Sequence, residues 1–214
     1  MNLWAIVPVK PLHQGKSRLA GMLSVEEREA LNFSLLWHSL EVLSSVELIS
    51  RVLVVSKDPK VLATAREYHA VTLHSEDDRL NLNLDLQKAD FMAKWQGAQE
   101  ILVLPADLPL ITAWDVYQLI QKAQKPKAMV IAPDHNRDGT NGLLFNPAEG
   151  SRYSFGPGSF ERHLAFAKKN GYRVEVYESE TFALDLDTPE DLSLLYEKDP
   201  NFFQKFAKPI RRNV

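Results

Sequence analysis

Leu3-Trp4-Ala5-Ile6-Val7-Pro8-Val9 opens the chain as an unbroken apolar run, and Lys10-Pro11-Leu12-His13-Gln14-Gly15-Lys16-Ser17-Arg18 follows it. A continuous apolar run of this length, with no polar alternation, reads as a strand buried on both faces. The stretch behind it is a loop carrying three cations, Lys10, Lys16 and Arg18. Open α/β sheets bind ligands just outside the carboxyl ends of their strands. The loop therefore predicts an anion site, with a phosphate as the anion.

Outward from this stretch, further short apolar runs recur at 52–56, 71–74, 101–104, 129–132, 142–145, 174–177 and 182–186, and each reads as a strand. Helical patterns lie between several of them. Ser24 with Glu27 is a capping-box signature, followed by Leu31, Leu35, Leu36, Leu40 and Leu43 at helical spacing. Pro59 opens a short helix through Ala65 to Tyr68. Thr112 with Asp115 opens another, and Thr188 with Pro189 a fourth. Strands alternating with helices predict an α/β fold with a mostly parallel sheet covered on both faces. The first strand and loop lack G-x-G-x-x-G, which disfavours an ordinary dinucleotide fold.

The chain has 214 residues, which suggests one domain with a core of useful size. That domain is expected over 1–198. Residues 199–214, with Arg211 and Arg212, read as a loosely held tail or an oligomer arm, and Phe202, Phe203 and Phe206 could pack on a partner or on the domain itself. Net charge is −3, so no global basic field gathers nucleic acid. The absence of cysteine excludes disulfides, thiolate metal sites and cysteine nucleophiles. No apolar stretch reaches the ~20 residues that span a bilayer, and no leader is visible at the N-terminus. A cytoplasmic enzyme or binding protein is expected.

Four constellations could carry chemistry. The first is Lys10, Lys16 and Arg18. Gly15-Lys16-Ser17 is not the end of a Walker A loop, because that motif needs glycine at position 10, where lysine stands. The second is Leu104-Pro105-Ala106-Asp107-Leu108-Pro109-Leu110, with a carboxylate directly behind an apolar strand. Such a carboxylate is costly to bury unless it is paired or binds a metal. The third is Leu184-Asp185-Leu186-Asp187-Thr188-Pro189. Two acids two apart on an extended segment face one side and repel unless a cation lies between them. Helix capping explains Thr188, and partly Asp187, but leaves Asp185 unexplained. Oxygen ligands of this kind suit Mg²⁺ or Mn²⁺.

The fourth pairs Asp138-Gly139-Thr140-Asn141-Gly142 with Phe155-Gly156-Pro157-Gly158-Ser159-Phe160. Both are turn-rich and offer hydroxyls and free N–H groups that can cradle an anion. Ser159 could also cap the helix behind it, and a helix N-terminus is itself an anion site. The polar stretch 77–83 is expected near a strand's carboxyl end, either reading a base edge through Asn81 or Asn83 or forming a plain loop. The six histidines have no metal-ligand spacing, and His38, His69 and His163 read as partly buried structural residues on helices.

In their order along the chain, these motifs resemble the 2-phospholactate/phosphoenolpyruvate guanylyltransferases of deazaflavin coenzyme F-420 biosynthesis. The first, second and last motifs are shared with wider nucleotidyltransferases of the glycosyltransferase-A type. The Gly-Thr-Asn and Phe-Gly-Pro-Gly-Ser-Phe pair is more specific. The resemblance implies a single Rossmann-like three-layer sandwich with a mixed, mostly parallel sheet. It implies GTP as donor, a small phospho-acid as acceptor (phosphoenolpyruvate or 2-phospho-L-lactate), and Mg²⁺, with Mn²⁺ as the alternative. Asp107, Asp185 and Asp187 match the metal positions, and Thr140, Gly156 and Ser159 the acceptor positions. Lys10, Lys16 and Arg18 would hold the GTP phosphates and Asn83 the base, with Lys16, Arg18 and Asp107 carrying catalysis. A homodimer is compatible with this reading, and nucleic acid and membrane are not expected partners. Other readings within the same architecture are a cytidylyl- or molybdopterin guanylyltransferase, or a nucleotide-binding module without catalysis.

Overall fold

The computed structural model describes residues 2–76, 81–124, 126–146 and 153–202. Its strands are β1 (Leu3–Pro8), β2 (Ile49–Ser56), β3 (Val71–His74), β4 (Glu100–Val103), β5 (Ala128–Pro133), β6 (Thr140–Phe145) and β7 (Arg173–Val176). They form one sheet in the order β3-β2-β1-β4-β6-β5-β7. Neighbours pair in parallel except at β6, which runs antiparallel to both β4 and β5.

The helices are α1 (Val25–Ser44), α2 (Pro59–Glu67), α3 (Leu82–Trp95), α4 (Ala113–Lys122), α5 (Ser159–Lys169), α6 (Glu180–Ala183) and α7 (Pro189–Lys198). Alternation along β1 sorts them into two layers, because successive strand side chains face opposite ways. Leu3, Ala5 and Val7 pack with Leu36 and Leu40 of α1, Val61 of α2 and Leu119 of α4. Trp4 and Ile6 pack on the other face with Leu86 and Ala89 of α3 and Phe160 of α5. The result is the three-layer sandwich with a mostly parallel sheet.

The chain order places a switch point beside β1. After β1, α1 and β2 lead outward to the β3 edge; α3 then crosses the opposite face and returns the chain to β4, on β1's other side. The crevice outside the carboxyl ends of β1 and β4 is where ligands bind in such sheets. A third apolar cluster sits beside it. Leu19 from the basic loop, Leu31 and Leu35 from α1, Leu184 and Leu186, and Leu192 and Leu195 from α7 pack together with Phe202. This cluster presses the basic loop against the acidic segment.

The local helix signals act as expected. Capping boxes form at Ser24/Glu27 and Thr112/Asp115, and Pro59 and Pro189 stand in the first turns of α2 and α7. Four local expectations are corrected. Residues 182–186 are not a strand: α6 ends at Ala183 and the segment behind it pairs with no strand. Its apolar side chains are used instead for Phe182 under the sheet and for Leu184 and Leu186 in the third cluster. Asn83 lies in the first turn of α3, which Leu86, Ala89 and Ala93 bury at helical spacing, and not in a loop. Ser159 is not a cap, since Gly158 holds that position and no side chain caps α5. His69 is exposed just beyond α2, with φ of 57°, while His38 is partly buried and His163 fully so. Residues 77–80 and 203–214, including Phe203, Phe206, Arg211 and Arg212, lie outside the described residues. No helix among the described residues is long and apolar enough to cross a membrane.

Candidate active site

The basic loop leaves β1 and is pinned by α1. Asn32 Nδ2 donates to the Leu12 carbonyl at 2.6 Å, and Arg28 donates to the Gly15 carbonyl at 3.3 Å. Asp58 accepts from the Leu12 N–H at 2.9 Å. Gly15 runs so close to α1 that a Cβ there would lie 2.4 Å from Asn32 Nδ2. The glycine thus serves helix–loop contact. Lys16 next to it takes a left-handed backbone with φ of 56°, uncommon for a residue with a side chain. This turn aims its ammonium inward, and its side chain is only 5% exposed.

Lys16 Nζ lies 2.8 Å from Asp187 Oδ1 and 3.1 Å from Asp107 Oδ2. Positions 16, 107 and 187, far apart in sequence, thus meet at the carboxyl ends of β1 and β4. Burial works against the charge on Lys16, but Asp107 and Asp187 outweigh it and raise its pKa above the ordinary lysine value. Burial likewise favours a neutral Asp187, but Lys16 and, more weakly, Lys10 and Arg18 hold it below the usual carboxylate range. Lys10 and Arg18 are themselves exposed and contribute through their field.

Asp185 behaves in the opposite way. Burial, then the neighbouring charge of Asp107, pushes its pKa up to about 6, and Asp187 adds to this. Its side-chain partner is Asn141, whose Nδ2 donates to Asp185 Oδ1 at 3.1 Å and to the Phe182 carbonyl at 2.9 Å. The Leu186 N–H donates to the Asp107 carbonyl at 3.0 Å and ties the two acidic segments together. No group of three or more His, Cys, Asp or Glu among the described residues is gathered closely enough to hold a metal by itself. The donor chemistry still fits a hard divalent cation. Mg²⁺ commonly takes one or two carboxylates and completes its shell with water and substrate phosphates, and Asp107 and Asp187 both act on Asp185 as like charges.

The start of β6 joins this half of the site to the other. Asn141 points toward Phe182 and Asp185, and Thr140 beside it points the opposite way. Thr140 Oγ1 lies 3.0 Å from His163 Nδ1 and receives a hydrogen bond from Ser159 Oγ at 3.3 Å. Asp138 Oδ2 accepts from the Gly158 N–H at 3.0 Å, and its carbonyl accepts from the Phe160 N–H at 3.1 Å. Gly156 and Gly158 both have positive φ, 114° and 71°. Arg162 donates to the carbonyls of Ser154, Gly156 and Pro157 and so draws the loop's oxygens toward α5.

The assigned residues therefore fall into two linked groups. Lys16, Asp107 and Asp187 are in direct contact, with Asp185, Lys10 and Arg18 within electrostatic reach. Thr140 and Ser159 form a second group, joined to the first through Asn141. Asn81 caps α3 by accepting from the Leu84 N–H at 3.2 Å. The Asn83 side chain accepts from the Phe155 N–H at 2.7 Å and donates to the Phe155 carbonyl at 3.2 Å, clamping the glycine loop to α3. Sequence reasoning missed the work of Asn141, His163 and Arg162. Asn141 stood inside a quoted motif and could have been found, whereas the Asn83–Phe155 clamp joins positions 72 apart with no local signal.

Comparison with known proteins adds four findings. A family model described as guanylyl transferase CofC like matches residues 3–213. A phosphoenolpyruvate guanylyltransferase of Rubrobacter xylanophilus is 44% identical over 195 residues, 91% of this chain and 94% of that protein. A 2-phospho-L-lactate guanylyltransferase of Methanothermobacter thermautotrophicus is 37% identical, covering 100% of this chain and 93% of that protein. Among solved structures, a cytidylyltransferase from Leptospira borgpetersenii superposes with a TM-score of 0.60 at 15% identity, covering 100% and 99% of the two chains. The last likeness is one of fold.

Proposed function

Because the chain belongs to the family of CofC-like guanylyl transferases, we propose that its crevice moves GMP from GTP onto the phosphate of phosphoenolpyruvate and releases pyrophosphate. The reaction would serve deazaflavin coenzyme F-420 biosynthesis. The observation that carries the reading is the meeting of Lys16 with Asp107 and Asp187 at the switch point of the sheet. An acidic pair and a buried cation in one crevice suit a reaction between two polyanions. The preference for phosphoenolpyruvate rests on relatives of that name reaching 44% identity. A relative named for 2-phospho-L-lactate at 37% over the whole chain keeps that acid as the second reading.

An acceptor phosphate oxygen attacks the α-phosphorus of GTP, a phosphoanhydride forms, and the bond to pyrophosphate breaks. The attacking oxygen is already ionised at neutral pH, so no side chain has to remove a proton. The obstacle is repulsion: two unit charges at ~4 Å oppose each other by about 4 kcal/mol at an effective dielectric of 20. Asp107, Asp185 and Asp187 would hold Mg²⁺ or Mn²⁺, which when bound supplies charge neutralisation. Lys16 stays protonated throughout the neutral range and, with Arg18, would stabilise charge on the departing pyrophosphate. Lys10 would bind the triphosphate, Thr140, Gly156 and Ser159 would receive the acceptor, and Asn83, whose amide is engaged by Phe155, would support the site through the glycine loop.

Turnover assays with GTP or CTP against phosphoenolpyruvate, 2-phospho-L-lactate and phosphoglycerate test this directly. Pyrophosphate release is expected with GTP and phosphoenolpyruvate. Release with none of the acceptors rejects the acceptor class, and GTP binding without release favours a binding module. Asp107→Asn keeps the shape of the side chain and removes its charge, so turnover should fall by about 100-fold or more while the unfolding transition stays cooperative. An active Asp107→Asn enzyme would sink the role given to this carboxylate.

A further inference from the structure

We propose that His163 is a positioning residue that makes the Thr140 hydroxyl a dedicated hydrogen-bond donor and so tunes the acceptor pocket for an ionised oxygen, carboxylate or phosphate. His163 is 1% exposed, and its Nε2 receives the Ser154 N–H at 3.2 Å. A backbone N–H can only donate, so Nε2 must be the unprotonated nitrogen. In the neutral ring the proton then resides on Nδ1. Nδ1 lies 3.0 Å from Thr140 Oγ1 and donates to it. Burial, with the charge of Arg162 adding, lowers the imidazole's pKa to about 4, which keeps this one tautomer neutral through the working range.

Thr140 Oγ1 also accepts from Ser159 Oγ at 3.3 Å. A hydroxyl has two lone pairs and one hydrogen. With both lone pairs occupied, Thr140 can only give its hydrogen away, and none of its hydrogen bonds among the described residues uses that hydrogen. The side chain is 4% exposed, so bulk water does not readily satisfy it. An oxygen that accepts and does not donate is the ligand this geometry fits, and an ionised carboxylate or phosphate oxygen makes the stronger, charge-assisted bond. A ligand amide or a hydroxyl offering its own hydrogen meets no lone pair there. The ring is also held by Phe155, edge to face at 4.9 Å, so its orientation is set by packing as well as by its two hydrogen bonds.

The inference rests on the reading of Thr140 as an acceptor-binding residue, and the test separates the two. His163→Phe keeps an aromatic ring against Phe155 and loses both hydrogen bonds. His163→Asn keeps an N–H where Nδ1 stood but loses the partner of Ser154 and the ring packed against Phe155. Both variants lose the Ser154 contact and the Asn variant also loses the ring, so a purely structural role would impair His163→Asn at least as much as His163→Phe. We expect His163→Phe to raise the KM for phosphoenolpyruvate at least tenfold with the KM for GTP within twofold of the parent. His163→Asn should recover the acceptor KM to within about threefold. If His163→Phe does not fold, His163→Gln replaces it, because its carbonyl reaches Ser154 but leaves no N–H at Thr140. An unchanged acceptor KM, equal rises in both KM values, or equal impairment of the Asn and Phe variants would overturn the proposal. Thr140→Val is the control: if it leaves the acceptor KM unchanged, the acceptor-site reading fails. If it raises that KM while His163→Phe does not, only the role of His163 fails.

Discussion

At the scale of single residues, the two carboxylates of one short segment are driven in opposite directions by their surroundings. Asp187 faces Lys16 and is held charged, whereas Asp185 is half-buried beside Asp107 and Asp187 with its pKa near 6 against an ordinary value of 3.8. Between those two pH values the folded chain holds a proton that the unfolded chain has released. Stability therefore falls as pH rises through this window, and the penalty is complete above about pH 6. Asp185→Asn removes it. In chelator, the variant should be more stable than the parent by about 1–3 kcal/mol at pH 8. For a chain of this size that is about 2–4 °C of melting temperature per kcal/mol. The gain should vanish near pH 4, and a gain that is absent or the same at every pH would refute the assignment. His163 works with the opposite sign. Its depressed pKa contributes stability that is full above about pH 6.5 and lost as pH falls toward 4. In the parent, Asp185 offsets this over nearly the same window. Thermal melts of Asp185→Asn between pH 4 and 6 should therefore show the steeper acid-side loss, by up to about 1.4 kcal/mol per pH unit.

At the scale of elements, the basic loop illustrates what local sequence does and does not encode. Its position behind a buried strand was legible, since an apolar run followed by Lys10, Gly15, Lys16 and Arg18 has few other readings in an α/β chain. The reason for Gly15 was not, because it depends on a helix beginning ten residues later. Asn32 of α1 occupies the space that a Cβ at position 15 would need. Gly15→Ala should push Asn32 off the Leu12 carbonyl, costing about 1–3 kcal/mol, and should raise the KM for GTP by displacing Lys16. Adding Asn32→Ala to Gly15→Ala should cost much less than the sum of the two single losses. Urea melts of the four chains measure this coupling, and strict additivity would show that the contact is not the cause. Element α3 makes the same point in reverse. Its helical spacing is present in the sequence, yet the polar residues at 81 and 83 draw attention to a ligand, whereas one caps the helix and the other clamps Phe155.

At the scale of the whole molecule, the third apolar cluster brings Leu19 and the segment from Leu184 to Phe202 together beside the site. Leu186 is fully buried there, and its N–H is bonded to the carbonyl of Asp107. Leu186→Ala should cost about 2–5 kcal/mol. The loss should appear first as faster amide exchange in α7 and in residues 184–187, with β1 and β4 still protected. Turnover should fall with it, because the cluster holds Asp185 and Asp187 opposite the loop. Uniformly faster exchange across the sheet would show instead that the cluster is not a separate unit. The sequence alone determined the α/β class, most helix starts, and the order of the chemistry-bearing motifs. Periodicity, caps and prolines act over a few residues and are written in adjacent positions. It also supplied the residue types of the crevice, because carboxylates and cations behind apolar runs are conspicuous on their own. Only the tertiary structure decided which of these touch. Lys16 meets Asp107 and Asp187 across 91 and 171 residues, and no local rule operates over such spans. Strand order, one short satellite cluster and a single left-handed lysine turn close those distances, and all three depend on long-range packing.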